Sequence, residues 1–314
     1  MNSSTASGLR AALPAAQAAA GAQHYPRAAL YVVATPIGNL ADITLRALHV
    51  LALADAVACE DTRHTRQLLQ SYGIHPPALL SAHQHNEAEA AQAVLARLAR
   101  GERVALVSDA GTPAVSDPGA RLVAAVRAAG HAVLPLPGAS SATAVLSAAG
   151  AVSDAGGFVF AGFFGAKAGE RQAAVQRLRS EPRPVVLLEA PHRIAALAAD
   201  LTTLGARAVT LGRELSKQFE QIVTLPAQDL PAWLAADEQR QRGEFALVLH
   251  PLAGEPAQAQ AQAQTLPPAQ VQPAELLRLL LAHLPLKTAA QVAAQATGHS
   301  RKALYALGLQ IREE

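Results

Sequence analysis

The run from Val104 to Ala142, VALVSDAGTPAVSDPGARLVAAVRAAGHAVLPLPGASSA, constrains this chain more than any other stretch. The apolar residues Val104 to Val107 read as a buried strand that breaks into Ser108-Asp109-Ala110-Gly111-Thr112-Pro113. A second turn, Ser116-Asp117-Pro118-Gly119, opens an amphipathic helix over Ala120 to Ala129. A further strand, Ala132 to Leu136, breaks at Pro137-Gly138 into Ser140-Ser141, residue types that start helices. Two strands thus end in small, polar, backbone-exposing loops with helices between them. In an open parallel α/β sheet, ligands sit outside the carboxyl ends of the strands, so both loops fall where a ligand binds. One such loop is equally well a tight turn and nothing more. Two in series, one carrying paired aspartates, favour a site.

The remainder repeats this grammar. Tyr31 to Ala34 is a short strand followed by Thr35-Pro36-Ile37-Gly38-Asn39-Leu40, with Asp42 or Thr44 placed to cap the next helix. Ala56 to Cys59 ends in Glu60-Asp61-Thr62-Arg63-His64-Thr65-Arg66, and Asn86 is placed to cap a helix through Arg100. The strand-helix pattern restarts after Gly156-Gly157, giving expected α/β domains over 28–153 and 154–252. In the second, strands lead into Glu189-Ala190-Pro191-His192-Arg193 and Gly212-Arg213-Glu214-Leu215-Ser216-Lys217. Glu220 to Thr224 reads as an antiparallel strand and Glu244 to Leu249 as the last one. Residues 253–273, alanine, glutamine and proline, read as a linker, and 274–314 as three short helices, a layout shared by a helix-turn-helix and a small packing bundle.

Composition excludes several classes. A net charge of +2 is too small to argue nucleic-acid binding by itself, and the single Cys59 excludes an internal disulfide framework. No run has the length of a membrane helix, so no membrane partner and a cytoplasmic location are expected. Met1 to Arg27, rich in alanine and serine, lacks a signal-peptide layout and reads as a disordered extension. His83 and His85 have no third ligand near in sequence, so no metal is expected. The first strand lacks G-x-G-x-x-G, and no phosphate-binding P-loop is present.

Nine segments, in order, resemble the bacterial ribosomal RNA small subunit methyltransferase I family. They are TPIGNLADIT, ACEDTRHTRQLL, HQHNE, SDAGTPAVSDPG, PLPGASSATAVLSAAG, FAGFFGAKAGER, EAPHRI, GRELSKQFEQI and GEFALVL, spanning roughly Leu30 to Pro251. One departure is Phe164-Gly165, where that family more often has leucine-proline. The resemblance implies the tetrapyrrole methylase (class III methyltransferase) fold: two α/β domains with a cofactor cleft between them, plus a small C-terminal helical segment. It also implies S-adenosylmethionine as cofactor, a homodimer, and methylation of a cytidine ribose 2′-hydroxyl in the decoding region of 16S ribosomal RNA within the small subunit.

Similarity to the wider fold places Pro36 and the loop Asp109, Ala110, Gly111, Thr112, Pro113 and Val115 against the cofactor, with Leu188, Arg213 and Phe245 from the second domain. Ser140 and Ser141 join them, since small residues let backbone groups approach a ligand closely. Arg63, His64, Arg66, Lys167, Arg171, His192, Arg193 and Glu214 are the expected RNA contacts. Only 4% of residues are aromatic, so backbone and edge contacts to RNA are expected to dominate over stacking. A ribose hydroxyl is a weak acid, so a proton acceptor is expected. Lys217 is one candidate, provided that Arg213 and a sulfonium lower its pKa; it serves equally as a phosphate contact. Glu189 is the rival. Two other classes stay open: a methylase of a small tetrapyrrole, and an RNA-binding module without catalysis.

Overall fold

The structure, a computed structural model, describes residues 3–252 and 273–313. It divides into two compact units, Met1–Ala253 and Gly254–Glu314. The apolar runs of the first half become β1 (Ala29–Val33), β2 (Ala56–Cys59), β3 (Leu79–Ser81), β4 (Arg103–Leu106) and β5 (Ala132–Leu136). They pair in parallel in the order β3-β2-β4-β1-β5. Both faces are covered, which is why β2 and β4 read as unbroken apolar runs rather than alternating ones. Tyr31, Val33, Val57 and Cys59 face one core, with Leu48 and Leu51 of α2 (Leu45–Leu53) and Leu69 of α3 (Thr62–Ser71). Leu30, Ala58, Val104 and Leu106 face the other, against Val94 and Leu98 of α4 (Glu87–Ala99) and Leu122 and Val126 of α5 (Ala120–Ala128). Thr44 caps α2 and Asp61 caps α3 through their side chains. Asn86 stands at the start of α4, but its side-chain oxygen accepts from the His83 backbone instead.

The disordered extension expected over Met1 to Arg27 is corrected: Ser3–Ala20 forms a helix, α1. Ala16 is fully buried in the first core, with Leu9, Ala12 and Leu13 packed against it. These positions recur at helical spacing, and alanine is the strongest helix former, so low complexity here encodes an amphipathic helix.

The second half builds another sheet from β6 (Val159–Gly162), β7 (Val185–Glu189), β8 (Ala208–Arg213), β9 (Gln221–Pro226) and β10 (Phe245–Leu249). Its order is β6-β7-β10-β8-β9. The last strand, β10, inserts antiparallel between β7 and β8, and β9 is antiparallel as its sequence suggested. One face packs on α7 (Ala168–Arg177), α8 (Ile194–Leu201) and α9 (Leu230–Ala235) through Val175, Ile194, Leu197 and Leu230. The other face is covered by a helix from the first half. Ala142, Val145 and Ala149 of α6 (Ser141–Ala149) cluster with Val186, Ala246 and Val248. The two α/β layers are therefore joined by a shared core and not only by chain connection.

The linker expected over 253–273 lies outside the described residues except for Pro273, which opens α10 (Pro273–Leu281). With α11 (Leu286–Thr297) and α12 (Arg301–Glu313) it encloses a core of Leu277, Ala289, Ala290, Ala293 and Leu304. No helix among the described residues is long and apolar enough to cross a membrane.

Candidate functional site

The loops after β1 and β4 are laced together at the point where the first sheet changes direction. Thr35 and Gly111 exchange backbone hydrogen bonds of 2.9 and 3.0 Å. The buried Thr35 hydroxyl donates to the Ser108 carbonyl at 3.1 Å, and Thr112 donates to the Ala139 carbonyl, tying in the loop after β5. Gly111 has φ +86°, and a Cβ there would meet the Ile37 side chain at 3.4 Å. A larger residue is strained in that conformation and fills the space in front of the loop. Ala114 and Ser116, with φ of 65° and 66°, flank Val115.

The second sheet answers with an equivalent device. Glu214 and Ser216, with φ of 52° and 68°, flank Leu215. Left-handed backbone at a residue with a side chain costs about 1–2 kcal/mol each. Four of these in two facing loops mark strain held where function resides. The antiparallel β10 brings its first residue, Phe245, into register with both Glu189 and Arg213, so the end of β7, the start of β10 and the end of β8 form one rim.

Between the two rims lies a cavity of about 300 Å³. Ile37, Ala110, Gly111, Thr112, Val115, Ser116, Asp117, Ser140, Ser141 and Ala142 line it from the first half. Phe160, Phe163, Leu188 to Pro191, Leu215 and Glu244 to Ala246 line it from the second. Its charged side chains are all acidic: Asp117, Glu189 and Glu244. The Glu189 side chain is fully buried, its Oε1 accepting from the Ala190 N–H at 2.9 Å and lying 3.0 Å from Arg193 Nε. That nitrogen is not aligned on the carboxylate, so the contact is charge attraction rather than a hydrogen bond, and Oε2 has no partner. Burial, with Glu60 and Asp109 near, pushes the Asp117 carboxyl up to about 6.

Of the residues expected at a cofactor, Ala110, Gly111, Thr112, Val115, Ser140, Ser141, Leu188 and Phe245 line the cavity. Pro36, Asp109, Pro113 and Arg213 do not. Pro36 and Pro113 are buried in the wall's support. Asp109 accepts from the Asp61 N–H, and the Arg213 guanidinium is spent on the Arg242 carbonyl at 2.7 Å.

Lys217 departs from its expected chemistry. Its ammonium lies 2.9 Å from Glu214 and 3.3 Å from Glu244, and its stem lies so close to Gly38 that a Cβ there would overlap it. Burial works against its charge, but the Glu214 hydrogen bond and the Glu244 charge outweigh this and raise its pKa above the ordinary lysine value. The lowered pKa argued from the sequence is therefore corrected. Ser216, which donates to Asp42, clips the loop after β8 onto the segment after β1, and the Lys217 stem packs beside Gly38.

Among the expected RNA contacts, Arg63, His64, Arg66, Lys167 and His192 are exposed. Glu214 is engaged by Lys217. Arg193 points inward, donating to the Phe164 carbonyl at 2.5 Å. Arg171 is corrected outright: it is 7% exposed and locked to Asp200 at 2.5 Å, out of reach of a phosphate. From the sequence the paired aspartates are a sign of a site, but Asp117 is assigned no role there, although it stands in the turn directly after the glycine loop.

A model of the tetrapyrrole (corrin/porphyrin) methylases matches residues 29–231, and one described as the RsmI C-terminal HTH domain matches 267–312. The ribosomal RNA small subunit methyltransferase I of Pseudomonas aeruginosa is 46% identical over 283 residues, 90% of this chain and 96% of that one. Its Escherichia coli O157:H7 counterpart is 45% identical over 286 residues, 90% and 94% of the two chains. Among solved structures, a cobalt precorrin-4 methyltransferase of cobalamin biosynthesis superposes with TM-score 0.52 at 18% identity, over 72% of this chain and 98% of its own. A uroporphyrin-III C-methyltransferase from Thermus thermophilus gives 0.51 at 23%, over 71% and 94%. These two likenesses bear on the fold.

Proposed function

Because the chain belongs to the tetrapyrrole methylases and, within them, to the ribosomal RNA small subunit methyltransferase I family, we propose that it methylates a cytidine ribose 2′-hydroxyl in the decoding region of 16S rRNA with S-adenosylmethionine. The observation that carries this onto the geometry is the charge of the cavity. The charged residues that line it, Asp117, Glu189 and Glu244, are all acidic. Arg193 lies against Glu189 and Lys217 against Glu244, so Asp117 is the carboxylate left to meet a ligand's positive charge, and the volume of about 300 Å³ is at the lower bound for small-ligand sites. Ala110, Gly111, Thr112, Val115, Ser140 and Ser141 would hold the cofactor from the first half, Leu188 and Phe245 from the second. When bound, S-adenosylmethionine supplies a methyl group on a positively charged sulfur. The chain's own contribution is alignment, worth several kcal/mol of barrier, and a proton acceptor worth roughly 10² to 10⁴-fold.

Glu189 is the acceptor in this reading. It is among the residues that line the cavity, and its Oε2 is buried without a hydrogen-bond partner, so the side chain must turn toward the cavity to take the hydroxyl proton. Arg63, His64, Arg66, Lys167 and His192 are the exposed groups for RNA phosphates. The small ribosomal subunit as the form of the substrate, a homodimer and a cytoplasmic location complete the reading; they rest on the family resemblance. The test is mass mapping of 16S rRNA from cells with and without the protein, beside methyl transfer in vitro to unmodified subunits and to a porphyrinoid. Loss of one ribose methyl group from a cytidine supports the reading. An unchanged map, or transfer to the porphyrinoid alone, refutes it.

A further inference from the structure

The cavity opens onto an apolar ledge of Val115, Phe160 and Phe163, which are 43%, 36% and 52% exposed. Isolated exposed apolar residues need no explanation, but these three line one cavity, whose charged lining residues are all acidic. The arrangement is built. In a regular strand, residues 160 and 163 point to opposite faces, because side chains alternate. The pairing of β6 with β7 shifts register between Phe160 and Gly162, and Gly162 has φ +62°. This irregularity re-aims the chain, as bulges beside active sites do, and puts both rings on one wall. Phe164, the next residue, packs into the second core, so its neighbour is held outward. The Arg193 guanidinium fixes the loop by donating to the Phe164 carbonyl at 2.5 Å, while its charge sits against buried Glu189.

We infer that this ledge is the stacking platform for the base of the target nucleotide, with Phe163 as its principal face. The inference rests on the methyltransferase reading and deepens it. A ribose can present its 2′-hydroxyl at the cavity only if its own base lies beside the opening. A flat, uncharged base suits the two rings, whereas no basic residue lines the cavity to receive a phosphate. A basic group for the phosphate stands on the same loop: Lys167, four residues beyond Phe163, with 84% of its side chain exposed and its ammonium 3.5 Å from the exposed Glu170. Single-stranded bases splayed from RNA are commonly bound on aromatic faces with basic groups alongside. Two of the chain's eleven aromatic residues, Phe160 and Phe163, thus stand where one base would stack, against the sequence expectation of edge and backbone contacts.

The test uses the full chain carrying Phe163→Ala or Phe163→Tyr, with unmodified small ribosomal subunits as the probe. Steady-state transfer, equilibrium subunit binding, S-adenosylmethionine affinity by calorimetry and sedimentation are measured together. Stacking on one base predicts that Phe163→Ala lowers kcat/KM for subunits roughly ten- to hundredfold, largely through KM. It also predicts weaker subunit binding, a cofactor affinity within about twofold of wild type, and near-complete rescue by Phe163→Tyr. Wild-type subunit binding by Phe163→Ala overturns the proposal. So does an equal loss of cofactor affinity, which makes the ring part of the cofactor wall, or a change confined to sedimentation, which makes the ledge a contact between copies. A wild-type protein that methylates no subunit refutes the methyltransferase reading instead, and subunit binding by Phe163→Ala still decides the ledge.

Discussion

Replacing Arg171 separates an RNA contact from a structural ion pair. Its side chain is 9% exposed and that of Asp200 10%, with Nε and Oδ2 2.5 Å apart, joining α7 to α8. Gln172 donates to the other Asp200 oxygen at 3.1 Å. Arg171→Leu removes the cation and leaves a buried carboxylate with one neutral donor. Breaking such a pair from one side costs about 3–5 kcal/mol, because the remaining charge is desolvated without compensation. For a unit of this size, that lowers Tm by on the order of 10 °C. Arg171→Leu combined with Asp200→Leu should recover most of the loss, since an apolar pair of similar volume is often neutral or better. Thermal and urea unfolding of the three variants measure this. Subunit binding across salt concentration, below the unfolding range, should keep its wild-type slope, whereas a lost phosphate contact lowers the slope by about one. An Arg171→Leu protein with unchanged Tm and a reduced salt slope refutes the reasoning.

Lys217→Met should keep its single-turnover methylation rate within about threefold and its pH profile unchanged, because the ammonium is held charged by Glu214 and Glu244. The expected cost is stability of about 1–2 kcal/mol, from the carboxylate left behind; a large rate loss at saturating subunit restores Lys217 as the base. Glu189→Gln should lower the single-turnover rate by 10² or more with subunit affinity preserved, and a rate near wild type removes Glu189 as proton acceptor. Asp117, raised to about 6, is neutral at low pH and ionises as pH rises through that value. Its folded pKa lies above its ordinary one, so its contribution to stability is full below about pH 4 and is lost as pH rises through about 6. The same ionisation should tighten binding of the cationic cofactor roughly three- to tenfold between pH 5 and 7.5. Calorimetry on Asp117→Asn should show this pH step abolished, and a step of unchanged size points to another group.

The sequence by itself determined what is local. Apolar runs such as Val104 to Val107 and Val185 to Leu188 become strands because both faces of each sheet are covered, and the breaks after them become the rims of one cavity. Gly111, Thr112, Ser140 and Ser141, which line that cavity, were legible because two small-residue loops follow neighbouring strands in series, where one alone reads equally as a tight turn. The amphipathic spacing of Leu9, Leu13, Ala16 and Ala20 was equally local, but alanine's small contrast with its neighbours concealed it. Only the tertiary structure decided which charges meet. Of the acidic residues that line the cavity, Glu189 and Glu244 meet because β10 inserts antiparallel beside β7, and Asp117 comes from the turn before α5 in the first half. Arg171 and Lys217 look alike in sequence, basic residues following strands, yet a buried Asp200 claims one, and Glu214 with Glu244 the other. A residue's pKa and reach depend on partners brought by the fold, at distances along the chain that no periodicity encodes.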